Sequence, residues 1–192
     1  MIEAGLKVDH FGEALKTLRL MDLSSESARQ TLRRFLEFIG GDPALLAIGE
    51  KVVYGELPPD LAAAQLEGAA QALGHLSRAH QLALVSVGKP YQQLLKMKSA
   101  GLDSTIFSKI VISETEDKKP AYKEVLEALN VAPAQTIVCG DRVKRDLLPA
   151  KELGCRTIQM RRGRGLCLTS DSAGVDFVVD RPAQIQEIVE NL

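Results

Sequence analysis

Apolar positions follow two different rhythms along this chain. Up to about residue 80 they recur at helical spacing. Phe11, Leu15, Leu18 and Met21-Asp22-Leu23 form one such stripe. Ser24-Ser25-Glu26-Ser27 is a start signal for an amphipathic helix from Ala28 to Ile39, stopped by Gly40-Gly41. Asp42-Pro43 opens a further short helix, because proline suits the first helical position. Residues 52–59, with Pro58-Pro59, read as a connector, and Asp60 caps a long helix from Leu61 to about Ala79.

The rhythm changes at Gln81. Leu82-Ala83-Leu84-Val85-Ser86-Val87 is a continuous apolar run of the kind that forms a strand buried on both faces. A helix from Tyr91 to Ala100, a strand within 106–112, and a helix from Ala121 to Asn130 with Pro120 in its first turn follow. The remaining elements are a strand at Thr136–Cys139, a helix ending near Gly154, strands at 155–160 and 176–180, and a closing helix from Pro182. Alternating strands and helices imply an α/β core, a Rossmann-like, mainly parallel sheet with helices on both faces. The expected division is an all-helical subdomain over 1–80 and the α/β core over 81–192.

Composition narrows the function classes. In 192 residues, 45% are hydrophobic and 26% charged, which fits one globular domain with a small insertion. A net charge of −1 and 4% aromatic residues argue against a nucleic-acid surface or a base-stacking platform. No apolar run approaches the ~20 residues of a membrane span, and no signal-peptide pattern opens the chain. Three cysteines, Cys139, Cys155 and Cys167, lack metal-ligand spacing, so free thiols in a reducing cytoplasm are expected. His10, His75 and His80 have no partner at such spacing either.

The chemistry concentrates in Thr136 to Ala150, TIVCGDRVKRDLLPA. A short apolar strand ends at Gly140-Asp141, and Asp146 follows on the same turn. An acid at a strand's carboxyl end sits where open α/β sheets bind ligands. Two carboxylates there suit a hard cation such as Mg²⁺, although an aspartate capping the next helix is the plainer alternative. Two more positions lie at the same kind of edge, Ser86 and Lys119, the latter in Asp117-Lys118-Lys119-Pro120.

In that order and spacing, Ser86, Lys119 and Gly140-Asp141 with Asp146 resemble the haloacid dehalogenase-like (HAD) superfamily of hydrolases. The resemblance runs from about Leu82 to the C-terminus, with KKPAYKEVLEALNVAPAQTIVCGDRVKRDLLPAKELGCRTIQM as its most specific part. It implies Mg²⁺-dependent phosphoryl transfer from a small phosphorylated metabolite through an aspartyl-phosphate. Asp141 and Asp146 would hold the metal, Ser86 would donate to a phosphoryl oxygen, and Lys119 would neutralise nucleophile and phosphate. Lys118 is the rival lysine, but Lys119 directly precedes the proline as in the family pattern. Arg161, Arg162 and Arg164 could contact an anionic substrate, and a solvated basic loop is the plainer reading.

The family's first motif, an apolar strand ending D-x-D that supplies the nucleophile, has no good counterpart. Val8-Asp9-His10-Phe11-Gly12 keeps one acid, but Glu3 and Lys7 suit a central strand poorly. The expectation is that the chain begins downstream of that motif, with residues 1–80 as the family's helical cap. Mg²⁺ binding should then be weak and turnover nearly absent. The central strand missing between Ser86 and Cys139 leaves those two strands to pair directly, or to be bridged by residues 1–12, a second copy or a separate chain. The alternative function is a non-catalytic binding or interaction module on the same fold.

Overall fold

The computed structural model describes residues 10–55, 65–166 and 174–192. Four helices come first: α1 Phe11–Leu23, α2 Ala28–Phe38, α3 Leu45–Tyr54 and α4 Ala69–Leu76. The Ser27 hydroxyl accepts the Gln30 N–H at 3.2 Å and so starts α2. Thr31, Leu32, Phe35 and Leu36 form the buried face of α2. Phe35, Leu36 and Leu45 pack there with Leu18 and Met21 of α1, making a small core of their own.

Two boundaries differ from the sequence expectation. Helix α3 runs through Val52-Val53-Tyr54, where a connector was expected. The long helix expected from Leu61 to Ala79 is helical only over Ala69–Leu76 among the described residues. Gly68 stands at its N-cap with φ 77, a left-handed conformation that glycine adopts without steric cost. Contacts also separate α4 from the first three helices. It packs on the C-terminal helix, and the preceding Leu66 joins the apolar cluster of Ile158, Met160 and Val179.

From Leu82 the described strands and helices alternate as expected: β1 Leu82–Val87, α5 Pro90–Ser99, β2 Phe107–Ser113, α6 Lys119–Leu129, β3 Ile137–Gly140, α7 Leu148–Lys151, β4 Arg156–Met160, β5 Phe177–Val179 and α8 Pro182–Glu190. Every ladder is parallel. β1 pairs β2 with Ser86 opposite Ile112, and β4 pairs β3 on one side and β5 on the other.

These ladders form two separate sheets, β1-β2 and β3-β4-β5. The direct pairing of β1 with β3, one of the two arrangements expected above, is absent among the described residues. Leu6–Val8 and Asp9, which could bridge them, lie outside the described residues. Helix α6 spans the break on one face. Its Tyr122 and Leu126 pack with Val138 of β3, its Ala121 and Val125 pack with Val111 of β2, and Val85 of β1 touches both groups. On the other face α8 supplies Ile185 and Ile188 to the β4–β5 cluster.

Candidate active site

β3 ends at Gly140, and the chain then turns through a π-helical segment, Val143–Leu147, before α7. Val143, Leu147 and Ala150 are buried and anchor this turn under the sheet end. The anchoring folds Asp146 back over β3. Its Oδ2 accepts the Arg142 backbone N–H at 3.0 Å, and its own N–H donates to the Arg142 carbonyl at 2.7 Å. A Cβ at position 140 would lie 2.5 Å from the Asp146 Cβ, so the glycine is required by this close approach.

Lys118, at the N-cap of α6, enters from the other sheet. Its ammonium lies 2.8 Å from Asp146 Oδ1, with only 11% of the lysine and 5% of the aspartate side chain exposed. The same Nζ donates to the Val85 carbonyl of β1 at 3.4 Å. One lysine therefore spans the break between the sheets. The Tyr122 hydroxyl, one turn along α6, donates to the Asp146 carbonyl at 2.9 Å, and burial followed by the Asp146 charge pushes that phenol up.

The two carboxylates are set apart electrostatically. Burial pushes the Asp141 carboxyl up, and the neighbouring Asp146 charge adds to this. Burial acts on Asp146 in the same direction, but the Lys118 charge, its close approach and the Arg142 backbone N–H outweigh it, and Asp146 sits below its ordinary value. Cys139 keeps some solvent exposure, yet burial by the surrounding protein and then Asp146 and Asp141 push its thiol up to about 12. It is not a thiolate nucleophile at neutral pH.

The expected lysine is not the one at this place. Lys119 turns outward to Glu152 Oε2 at 2.6 Å, and the lysine paired with Asp146 is Lys118. Helical periodicity gives the reason. The buried stripe of α6 runs through Ala121, Tyr122, Val125 and Leu126. Lys118 lies three and four residues before its first members, whereas Lys119 lies one step round the helix. Ser86 is at the correct end of β1, but its hydroxyl donates to Gln93 Oε1 of α5 at 3.3 Å.

The arginines of the loop after β4 are all engaged with protein. Arg161 forks onto Asp180 at 2.9 and 2.7 Å, and Arg162 donates to the Asp180 carbonyl at 3.0 Å. Arg164 crosses to α1, donating to Asp22 Oδ1 at 2.6 Å and to its carbonyl at 3.1 Å. Arg145 pairs with Glu116 at 2.9 Å, a second tie between the loops that follow β2 and β3. Of the histidines, His75 pairs with Glu190 of α8 at 2.7 Å.

A hard cation fits one side of this arrangement. Asp146 Oδ1 is buried and ion-paired to Lys118 without accepting a directed hydrogen bond, and Asp141 stands beside it. Oxygen donors of this kind suit Mg²⁺ with water filling its other positions. Among the described residues no third acid, histidine or cysteine completes a metal cluster.

The sequence profile of the haloacid dehalogenase-like hydrolases matches residues 55–160. A glyceraldehyde 3-phosphate phosphatase of Methanopyrus kandleri is 28% identical over 204 residues, covering 100% of this chain and 86% of its own length. One of the same name from Pyrococcus furiosus is 30% identical over 132 residues, 66% of this chain and 55% of its own length. Among solved structures, a Bacillus subtilis HAD-hydrolase bound to magnesium has a TM-score of 0.66 at 15% identity, covering 98% of this chain and 86% of that one. A haloacid dehalogenase-like hydrolase from Xanthomonas campestris has a TM-score of 0.59 at 16% identity, covering 96% and 77%. At such identities the structural likeness is one of fold.

Proposed function

The chain belongs to the haloacid dehalogenase-like hydrolases, and from that premise we propose a phosphatase site for a small phosphorylated metabolite, built on Lys118, Asp141, Asp146 and Ser86. The observation that carries this reading is the Lys118–Asp146 pair, buried at the carboxyl end of β3 with Asp141 beside it. Glyceraldehyde 3-phosphate is the first substrate to try, because relatives over the whole chain carry that name.

Each residue has a separate task. Lys118 places a fixed positive charge where phosphoryl oxygens would lie, held by the Val85 carbonyl and Asp146. Ser86 turns its hydroxyl from Gln93 to a phosphoryl oxygen. Asp141 and Asp146 would hold Mg²⁺, which supplies charge neutralisation between an attacking carboxylate and the phosphate. In the aspartyl-phosphate route a carboxylate oxygen attacks phosphorus, the ester oxygen leaves with a proton, and water then cleaves the acyl phosphate. The attacking carboxylate is not identified among the described residues, and the 192-residue chain is accordingly read as a trace catalyst at most. Helices α1–α3 serve as the cap, and free cysteines suit a cytoplasmic setting.

A second reading, a non-catalytic binding module, is favoured by one observation: no third acid joins Asp141 and Asp146 among the described residues. Phosphate release from glyceraldehyde 3-phosphate with excess Mg²⁺ separates the two. The phosphatase reading expects slow release that disappears with a chelator and in Lys118→Met. Release indistinguishable from a no-protein control would leave the binding-module reading standing.

A further inference from the structure

We propose that Gln93 is a positioning residue that holds the Ser86 hydroxyl in reserve, so that a phosphoryl oxygen must take the Ser86 proton from the Gln93 amide. The inference rests on the phosphatase reading above. Its basis is the orientation of one amide. Gln93 Nε2 donates to the Val87 carbonyl at 3.2 Å, and a carbonyl oxygen can only accept. That contact fixes which end of the amide faces Ser86. It is Oε1, 3.3 Å from the Ser86 Oγ, and this oxygen too can only accept. Ser86 therefore gives its single proton to Gln93 and keeps only lone pairs for any other neighbour. A separation of 3.3 Å is long for O–H···O, so the hold is weak enough to be exchanged.

The amide itself is held in place. A Cβ at position 88 would lie 2.6 Å from Gln93 Nε2, so the amide rests directly against the turn after β1. The Gly88 N–H donates to the Ser113 carbonyl of β2 at 2.9 Å, which fixes that turn. The neighbouring Gln92 ties α5 to the end of α3, donating to the Gly55 carbonyl and to the Tyr54 carbonyl at 3.5 Å. Turning the Gln93 amide over would set Oε1 against the Val87 carbonyl, acceptor against acceptor. The Ser86 hydroxyl rotor is then the part that moves. When its O–H swings to an anionic oxygen, Gln93 Oε1 loses its donor. Phosphate binding at Ser86 thus exchanges one neutral hydrogen bond for one to a charged group. Removing the amide removes the competing bond from the free chain and tightens phosphate.

The test is calorimetric titration of the full 192-residue chain with inorganic phosphate in excess Mg²⁺, for the parent, Gln93→Met, Ser86→Ala and the double variant. Methionine matches glutamine in length and lacks both the carbonyl acceptor and the N–H donor. Gln93→Met is expected to bind phosphate about two- to tenfold more tightly than the parent, the worth of one neutral hydrogen bond. In the Ser86→Ala background the same change should leave the affinity unaltered. A merely structural lesion at Gln93 would weaken binding, and would do so in both backgrounds. Weaker or unchanged binding in Gln93→Met, or an equal gain with and without Ser86, overturns the inference while the phosphatase reading stands. Parent and Gln93→Met both failing to bind phosphate would overturn the phosphatase reading and this inference with it. Should Gln93→Met lose the cooperative thermal unfolding of the parent, Gln93→Ala takes its place in the same cycle, with the same outcomes deciding.

Discussion

Lys118 and Asp146 meet at 2.8 Å across the break between two sheets, and the lysine also holds the carbonyl of Val85 on the far side. The pair thus ties the two sheets together. Removing one member of a buried pair strands the other charge, which typically costs about 3–5 kcal/mol. Lys118→Met should therefore destabilise strongly in urea unfolding. Lys119→Met, whose partner Glu152 is mostly exposed, should stay within about 0.5 kcal/mol of the parent. Equal effects of the two substitutions would contradict the assignment of Lys118.

Much of this arrangement is legible in the sequence. Continuous apolar runs at 82–87 and 136–139, with acids or hydroxyls at their ends, locate the strands and the sheet edge because a buried parallel strand needs both faces apolar. The proline after Lys119 points to that lysine, whereas the geometry sets Lys118 beside Asp146. The signal for Lys118 is the stripe Ala121, Tyr122, Val125 and Leu126, which places it on the buried side of α6. The start of α4 is not legible in the sequence, because alanine and leucine favour helix on both sides of Gly68 while the left-handed φ of that glycine is a tertiary feature. The π-helical turn that folds Asp146 onto Gly140 leaves no periodic signature in five residues.

The separation of the two carboxylates gives a pH prediction. Asp146 has a folded-state value below its ordinary 3.8, so its stabilisation is complete above that value and is lost as pH falls through the lower folded one. Asp141 is raised, so its ionisation opposes folding as pH climbs through its folded value. Asp141→Asn should then stabilise the chain by about 0.5–2 kcal/mol at pH 7, a gain of the kind seen when functional sites are relieved. The gain should fade below the ordinary 3.8, where both forms are neutral. A loss of melting temperature at pH 7 would refute this.

Gly140 is predicted to be intolerant of the smallest side chain. The added methyl of Gly140→Ala would sit 2.5 Å from the Asp146 Cβ, and relief requires the π turn to move. Overpacking of this kind costs about 1–3 kcal/mol. Gly12, where a Cβ meets nothing within 4 Å, provides the control, since Gly12→Ala should not destabilise. Similar losses at both positions in thermal unfolding would argue against the close approach.

The Arg164–Asp22 pair ties the loop after β4 to α1 with two hydrogen bonds. With 21% and 47% of the side chains exposed, its coupling energy should be near 0.5–1 kcal/mol and should shrink in high salt. A double-mutant cycle of Arg164→Ala and Asp22→Ala measures it directly. Strict additivity of the two single effects at low salt would show that the pair contributes no coupling.

The phosphoryl-binding role proposed for Lys118 is tested most directly by calorimetric titration of the chain with inorganic phosphate in the presence of Mg²⁺. The account predicts weak, saturable binding that Lys119→Met leaves unchanged. Lys118→Met should weaken it by at least about tenfold, the loss expected for a hydrogen bond to a charged group. Phosphate binding that survives Lys118→Met and disappears in Lys119→Met would contradict the account and return the site to the outward-facing lysine.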